Sequence, residues 1–341
     1  PGQFLLALPP MVSLTALMIP EASRRFRTGI IATIAVSAAV AMGFWYAPAK
    51  LGKVAIRGAN NWITLCTMDN TRAAIGNHDQ DLKKTRGLPP SFLTRIGKAT
   101  VDVYPWEASY IWSNDLRWRP RPVFQSYSAF TPALDRICAD FLRSPNAPKF
   151  IVYSHIAIDS QHPCIVDPRT WLEIYRLYDL VDGYQDLLLL ERRESPRWMG
   201  GDRVASASTH LGERIMIPEA SGGLVFMKAD LELSLKGKLT SIFYKVNPPS
   251  ILIEYKNGQK ARHRLVWRNT SKGFLINNLP RTLADVANLF QTGEAQEVIA
   301  VTFEDPSGML KRDVDFEVLR TEGKERPTAA VAVAPEAATV R

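Results

Sequence analysis

Residues 29–47, GIIATIAVSAAVAMGFWYA, hold no charged side chain, and this stretch restricts what the chain can fold into more than any other. At 1.5 Å of helical rise per residue, about twenty apolar residues cross the roughly 30 Å hydrocarbon core of a bilayer. A helix packed into a water-soluble core normally carries polar positions along one face. The run is therefore expected as a membrane span, with Trp45 and Tyr46 at the interface. A buried helix of a large soluble domain is the competing reading.

A second apolar run, residues 4–20 (FLLALPPMVSLTALMIP), comes before it and is interrupted by Pro9 and Pro10. No basic segment precedes that run, as a cleaved secretory signal requires, and the first residue is Pro1. Residues 1–48 are expected as a membrane α-helical hairpin that ends a longer membrane region. Arg24, Arg25 and Arg27 lie in the short connection between the runs, and short basic loops stay in the cytoplasm. Residues from about 49 onward are then expected outside the cytoplasm, although Lys50, Lys53 and Arg57 weaken the asymmetry.

The rest of the chain is long enough for two domains, and 46% hydrophobic residues with 8 Trp suit a packed core. A net charge of +8 favours anionic lipid headgroups or acidic glycans. The Lys and Arg residues are scattered rather than gathered into a stripe, which argues against nucleic acid. Cys66, Cys138 and Cys164 are too few and too far apart for a disulfide framework or a thiolate metal site. They read as free buried thiols, with a Cys138–Cys164 bridge as the alternative.

Residues 49–99 read as a connecting segment. Over 100–193 short apolar runs alternate with helical ones: strands at 100–104, 150–153 and 184–190, and helices at 106–113, 132–142 and 168–178, with Asp167 as a cap and Pro168 in the first turn. This alternation predicts a small α/β domain with a mostly parallel sheet. Pro196, Gly200 and Gly201 with a Ser/Thr-rich run mark 194–212 as a linker. Residues 213–320 are expected as a jelly-roll-like β-sandwich with strands at 214–217, 225–235, 239–245, 251–255, 261–267, 274–276, 298–303 and 314–319. Asn257-Gly258 signals a hairpin, and one helix is expected at about 283–290. The tail over 321–341 lacks periodicity and reads as disordered.

The densest polar and aromatic stretch is 101–132, VDVYPWEASYIWSNDLRWRPRPVFQSYSAFTP. Asp102 and Glu107 there can form the carboxylate pair that acid–base attack on a glycosidic bond requires. Arg119, Arg121, Gln125 and Tyr127 can bind sugar hydroxyls or a phosphate, with Trp106 or Trp118 as a stacking face. A structural reading competes: Asp102 ends a strand, Glu107 starts a helix where its charge suits the dipole, and Arg-Pro-Arg-Pro is a stiff connector bridging the two domains. His155, Asp159 and His162 are metal-capable types at spacings of four and three, but they follow a strand and precede Pro163, so a polar loop competes with a metal site. No glycine-rich phosphate loop, dinucleotide fingerprint, Gly-x-Ser-x-Gly elbow or Cys-x-x-Cys pair occurs. Asn269-Thr270-Ser271 matches a glycosylation sequon, a pattern short enough to arise by chance.

The run from Arg121 to Pro132, RPVFQSYSAFTP, following VDVYPW at 101–106, resembles the tail after the last span of bacterial polytopic membrane proteins. These are similar in layout to glycosyltransferases that use polyprenyl-phosphate-linked sugars. The resemblance covers about 100–193. It implies an inner-membrane protein acting in cell-envelope glycan assembly, with the lipid bilayer, a polyprenyl-phosphate-linked sugar and a glycan acceptor as partners. It also places the catalytic acid, and any divalent metal, in a region upstream of this chain, so no catalytic residue and no cofactor is expected here. A membrane-tethered carbohydrate- or protein-binding module is the alternative, and a hydrolase built on Asp102 and Glu107 a third reading.

Overall fold

The computed structural model describes residues 56–63, 68–198, 202–219, 223–244 and 247–321. The two expected membrane spans, Cys66 and the tail beyond Thr321 lie outside these residues. Among the described residues no helix is long and apolar enough to cross a membrane. By its contacts the chain divides into two compact units, Pro1–Asp81 with Leu235–Val246, and Leu82–Ser234 with Asn247–Arg341.

Helix α1 (Met68–Thr85) starts in the first unit and ends in the second, with Lys83 and Lys84 in its last turn where cations suit the dipole. The second unit continues with α2 (Pro90–Ile96), which has proline in its first turn, and β1 (Thr100–Tyr104). Then come α3 (Ser109–Ser113), β2 (Arg117–Trp118), α4 (Pro132–Arg143) and β3 (Phe150–Tyr153). After these follow α5 (Pro163–Val166), α6 (Pro168–Leu177), β4 (Tyr178–Tyr184) and β5 (Leu187–Arg192).

The strands form a sheet of order β2-β1-β3-β5-β4. Strand alternation sends Val101 and Val103 to the face where Phe150, Val152, Leu187 and Leu189 pack with Phe92, Ile96 and Ile111. Asp102 and Tyr104 alternate with these and belong to the opposite face. The expected mostly parallel sheet is corrected to a mixed one. Strands β2 and β3 run parallel to β1, whereas β5 is antiparallel to both β3 and β4. The reason is chain economy: β4 and β5 are joined by a tight turn at Gln185, whose φ of 49° is left-handed, and a turn of that length can only reverse direction.

Two antiparallel four-stranded sheets follow. Strands β6 (Asp202–His210), β8 (Val225–Asp230), β11 (Phe274–Leu275) and β13 (Asp313–Arg320) stand in the order β11-β8-β13-β6. Strands β7 (Arg214–Met216), β9 (Ser250–Tyr255), β10 (Lys260–Arg264) and β12 (Val298–Glu304) stand in the order β10-β9-β12-β7. The chain passes repeatedly between the two, giving a mixed α/β fold of several sheets that is partly sandwich-like. Strands β9 and β10 meet as a hairpin at Asn257-Gly258, where Gly258 takes a φ of 82° that suits glycine.

Two expectations are corrected here. Residues 202–210, inside the expected linker, are strand β6, paired along its length with β13. The expected strand at 239–245 is instead part of helix α7 (Leu235–Phe243), in the first unit. Leu235, Leu239, Ile242 and Phe243 fall at i, i+4, i+7 and i+8, a helical period that outweighs the β-branched content. Helix α8 (Leu283–Thr292) begins with a capping box in which Thr282 and Asp285 satisfy each other's backbone N–H groups, and it ends at Gly293, φ 79°.

Candidate functional site

In an open sheet with parallel strands, ligands gather at the carboxyl ends where neighbouring connections diverge. Here that point lies between β1 and β3: β1 leads to β2 on one side, and the chain then crosses back to β3 on the other. Tyr104 ends β1 and Tyr153 ends β3, and their rings stack with centroids 5.3 Å apart. A slot lined by Tyr104, Pro105, Trp106, Ser126, Tyr127 and Ile156 opens there, with a volume of about 10 Å³. That is room for no more than about one water.

The structure separates the residues that the sequence grouped. Asp102 lies in the middle of β1, not at its end, and is fully buried. It accepts hydrogen bonds from Arg121 Nη1 at 2.8 Å, from the Arg121 backbone N–H at 3.3 Å and from Trp118 Nε1 at 3.2 Å. Arg121 is buried as well, and it also donates to the carbonyls of Val103, Pro105 and Phe124 while lying over the Tyr104 ring. Burial pushes the Asp102 carboxyl above its ordinary value against the pull of Arg121. The guanidinium thus ties β1 to the loop after β2 and bridges no pair of domains. Glu107 precedes helix α3 instead of lying in its first turn. It accepts from Ser109 and faces Arg86 at 3.6 Å, so Asp102 and Glu107 do not act on a common centre.

Arg119 donates to the backbone and side-chain oxygens of Asn146, and Gln125 sits at the start of a short 3₁₀ turn. Trp106 and Tyr127 do meet, edge to face at 5.5 Å, on the rim of the slot. A second aromatic row was less legible: Trp112, Trp118 and Phe124 contact in succession at 5.6 and 5.7 Å, and Trp112 is 62% exposed.

The face of the sheet opposite the valine core carries a polar network. Tyr104 donates its hydroxyl hydrogen to Asp167 at 2.7 Å. Asp167 stands at the N-cap of α6 as expected, yet its side chain makes no capping bond. Burial, aided by nearby Asp135, pushes the Asp167 carboxyl up to about 7. Capping falls to Asp135 of α4, which accepts from the backbone N–H groups of Arg169 and Thr170 and from the Thr170 hydroxyl. Cys138 and Cys164 are free and buried, and burial pushes the Cys138 thiol up to about 11.

His155 and His162 both reach the carbonyl of Pro280, at 3.2 and 2.9 Å. A carbonyl only accepts, so both rings carry hydrogen on Nε2. Their Nδ1 atoms accept in turn, from Tyr153 at 3.0 Å and from the Cys164 N–H at 3.2 Å. Asp159 turns away to Arg264 at 2.6 Å. His263, distant in sequence, packs against His162 with centroids 4.9 Å apart. Burial lowers all three imidazoles, His155 to about 4. Among the described residues no group of three or more His, Cys, Asp or Glu side chains is arranged to hold a metal ion. Asn269 of the sequon pattern is buried, donating to the carbonyls of Ala129 and Val166.

Chemically, Asp167 can hold a proton near neutral pH beside a tyrosine hydroxyl, but the slot reached by Tyr104 admits no ring-sized substrate. The surface open to a larger ligand is aromatic. Comparison with protein-family models, curated proteins and solved structures finds no match to this chain.

Proposed function

We propose that this chain is the extracytoplasmic accessory portion of an integral membrane glycosyltransferase-like protein of the bacterial cell envelope, with catalysis carried out upstream and the outer domain holding the glycan acceptor. The observation that carries the reading is the aromatic row ending at Trp112, since an exposed indole braced by Trp118 offers the flat apolar face on which a sugar ring stacks. The commitment of Asp102 to Arg121 supports an accessory rather than a catalytic role. Helix α7 supports membrane proximity: Leu235, Leu239, Ile242 and Phe243 are 48–75% exposed on a helix without acidic residues, as suits an anionic bilayer surface. The membrane hairpin over 1–48 and a jelly-roll topology for the β-rich part belong to the same reading.

The test is binding of a polyprenyl-phosphate-linked hexose and of envelope oligosaccharides to the full chain in detergent. Trp112→Ala is expected to weaken oligosaccharide binding about tenfold with the melting temperature unchanged, and unaltered binding would defeat the acceptor role. The second reading, a tethered protein-binding module, is favoured by β6, an edge strand exposed over most of its length and open to pairing with a partner's strand.

A further inference from the structure

A groove of about 330 Å³ lies in the second unit where α4 and α6 meet the β11-β8-β13-β6 sheet. It is far roomier than the slot at β1 and β3, and it falls at the small end of the range for small-molecule sites, about 300 to 1,000 Å³. Trp198 and Phe226 supply aromatic walls, while Arg143, Arg176 and Lys272 bring three cations against the single carboxylate of Glu173.

The polar side is already set in position. Glu173, nearly buried, accepts from Arg143 Nε at 3.1 Å through one oxygen and from Arg176 Nε at 2.8 Å through the other. One carboxylate thus orients two guanidinium groups. Arg143 Nη1 pairs with Asp140 at 3.0 Å, and Arg176 Nη1 donates to the Trp198 carbonyl at 3.3 Å, which links the cation to the aromatic wall. Among the described residues nothing takes the Nη2 group of either arginine or the ammonium of Lys272. Two guanidinium groups held in place, with an exposed ammonium and an indole beside them, match a ring that carries an anionic substituent.

We propose that this groove is a second binding site, for a single hexose-sized sugar ring bearing one carboxylate or one phosphate. The indole packs on the ring's C–H face, and Arg143, Arg176 and Lys272 converge on the anion. The ring and the anion follow from the groove alone; the choice of a sugar rests on the envelope-glycan reading above.

The test is titration of the full chain in detergent with glucuronate, glucose 1-phosphate, neutral glucose and benzoate, the last being an anionic ring that is not a sugar. One of the two anionic sugars is expected to bind at least tenfold more tightly than glucose, more weakly as salt rises, and their order identifies carboxylate or phosphate as the anion. Lys272→Glu, at an exposed position, is expected to lower that affinity at least tenfold with the melting temperature unchanged, and Trp198→Ala is expected to lower the affinity likewise. Trp112→Ala, which probes the acceptor face, is expected to leave it unchanged, so the two sites fail separately. Equal binding of glucose, retained binding in Lys272→Glu, or binding of benzoate with neither anionic sugar would each overturn the proposal.

Discussion

Asp102 and Arg121 illustrate how one residue type serves opposite ends. Each is a natural ligand-binding group, and each is fully buried against the other. Removing one partner of a buried pair strands the other charge, which typically costs about 3–5 kcal/mol. Asp102→Asn is therefore expected to lower stability by about that amount in denaturant titration of the full chain, with oligosaccharide binding per folded molecule unchanged. Asp167 and His155 carry opposing pH terms. Asp167 is raised from 3.8 to about 7, so between those values the folded chain holds more protons than the unfolded, and stability from this group is lost as pH rises. His155 is lowered from 6.5 to about 4, so its contribution is lost as pH falls through that window. A fully displaced proton changes stability by about 1.4 kcal/mol per pH unit. Asp167→Asn is expected to make stability rise more steeply with pH between about 4 and 6.5, and His155→Gln to flatten the same rise. Equal slopes in wild type and both variants would refute these assignments.

Between elements, the junction of α4 and α6 is held by a carboxylate that caps a helix other than its own. Asp135 meets the first free N–H groups of α6 from α4, leaving Asp167 for Tyr104. Losing such a cap costs about 0.5–2 kcal/mol, with more for the buried donors left unpaired. Asp135→Ala should therefore destabilise by about 2 kcal/mol and speed amide exchange at Arg169 and Thr170 before it does so at Ile174. If exchange accelerates uniformly along α6, the capping role is wrong. The capping box of α8, Thr282 with Asp285 three residues on, was a readable local signal. The Asp135 cap was not, because its donors lie more than thirty residues away.

For the molecule as a whole, the proposed function requires an orientation at the membrane in which a glycan can reach either aromatic site. In the proposed reading the basic connection at Arg24, Arg25 and Arg27 stays in the cytoplasm and leaves the chain beyond residue 49 outside it. Alkaline phosphatase fused after Thr321 is expected to be active, and a reporter that works only in the cytoplasm is expected to be silent at the same point. The reverse pattern would put both proposed sugar sites in the wrong compartment.

Local pattern in the sequence was enough where neighbouring residues share one burial face. The apolar runs at β1 and β3, the Asp-Pro start of α6 and the Asn257-Gly258 hairpin are stretches where a few side chains and a backbone preference decide the outcome. Packing alone decided the rest. The pairing of β5 with β3, the enrolment of residues 202–210 as β6, the pairing of Asp102 with Arg121 and the packing of His263 against His162 join residues 19 to over 100 positions apart. The same is true of the groove between Arg143, Trp198 and Lys272. Whether a charged side chain faces water or a buried counter-charge depends on which distant surface closes over it, and no local period encodes that choice.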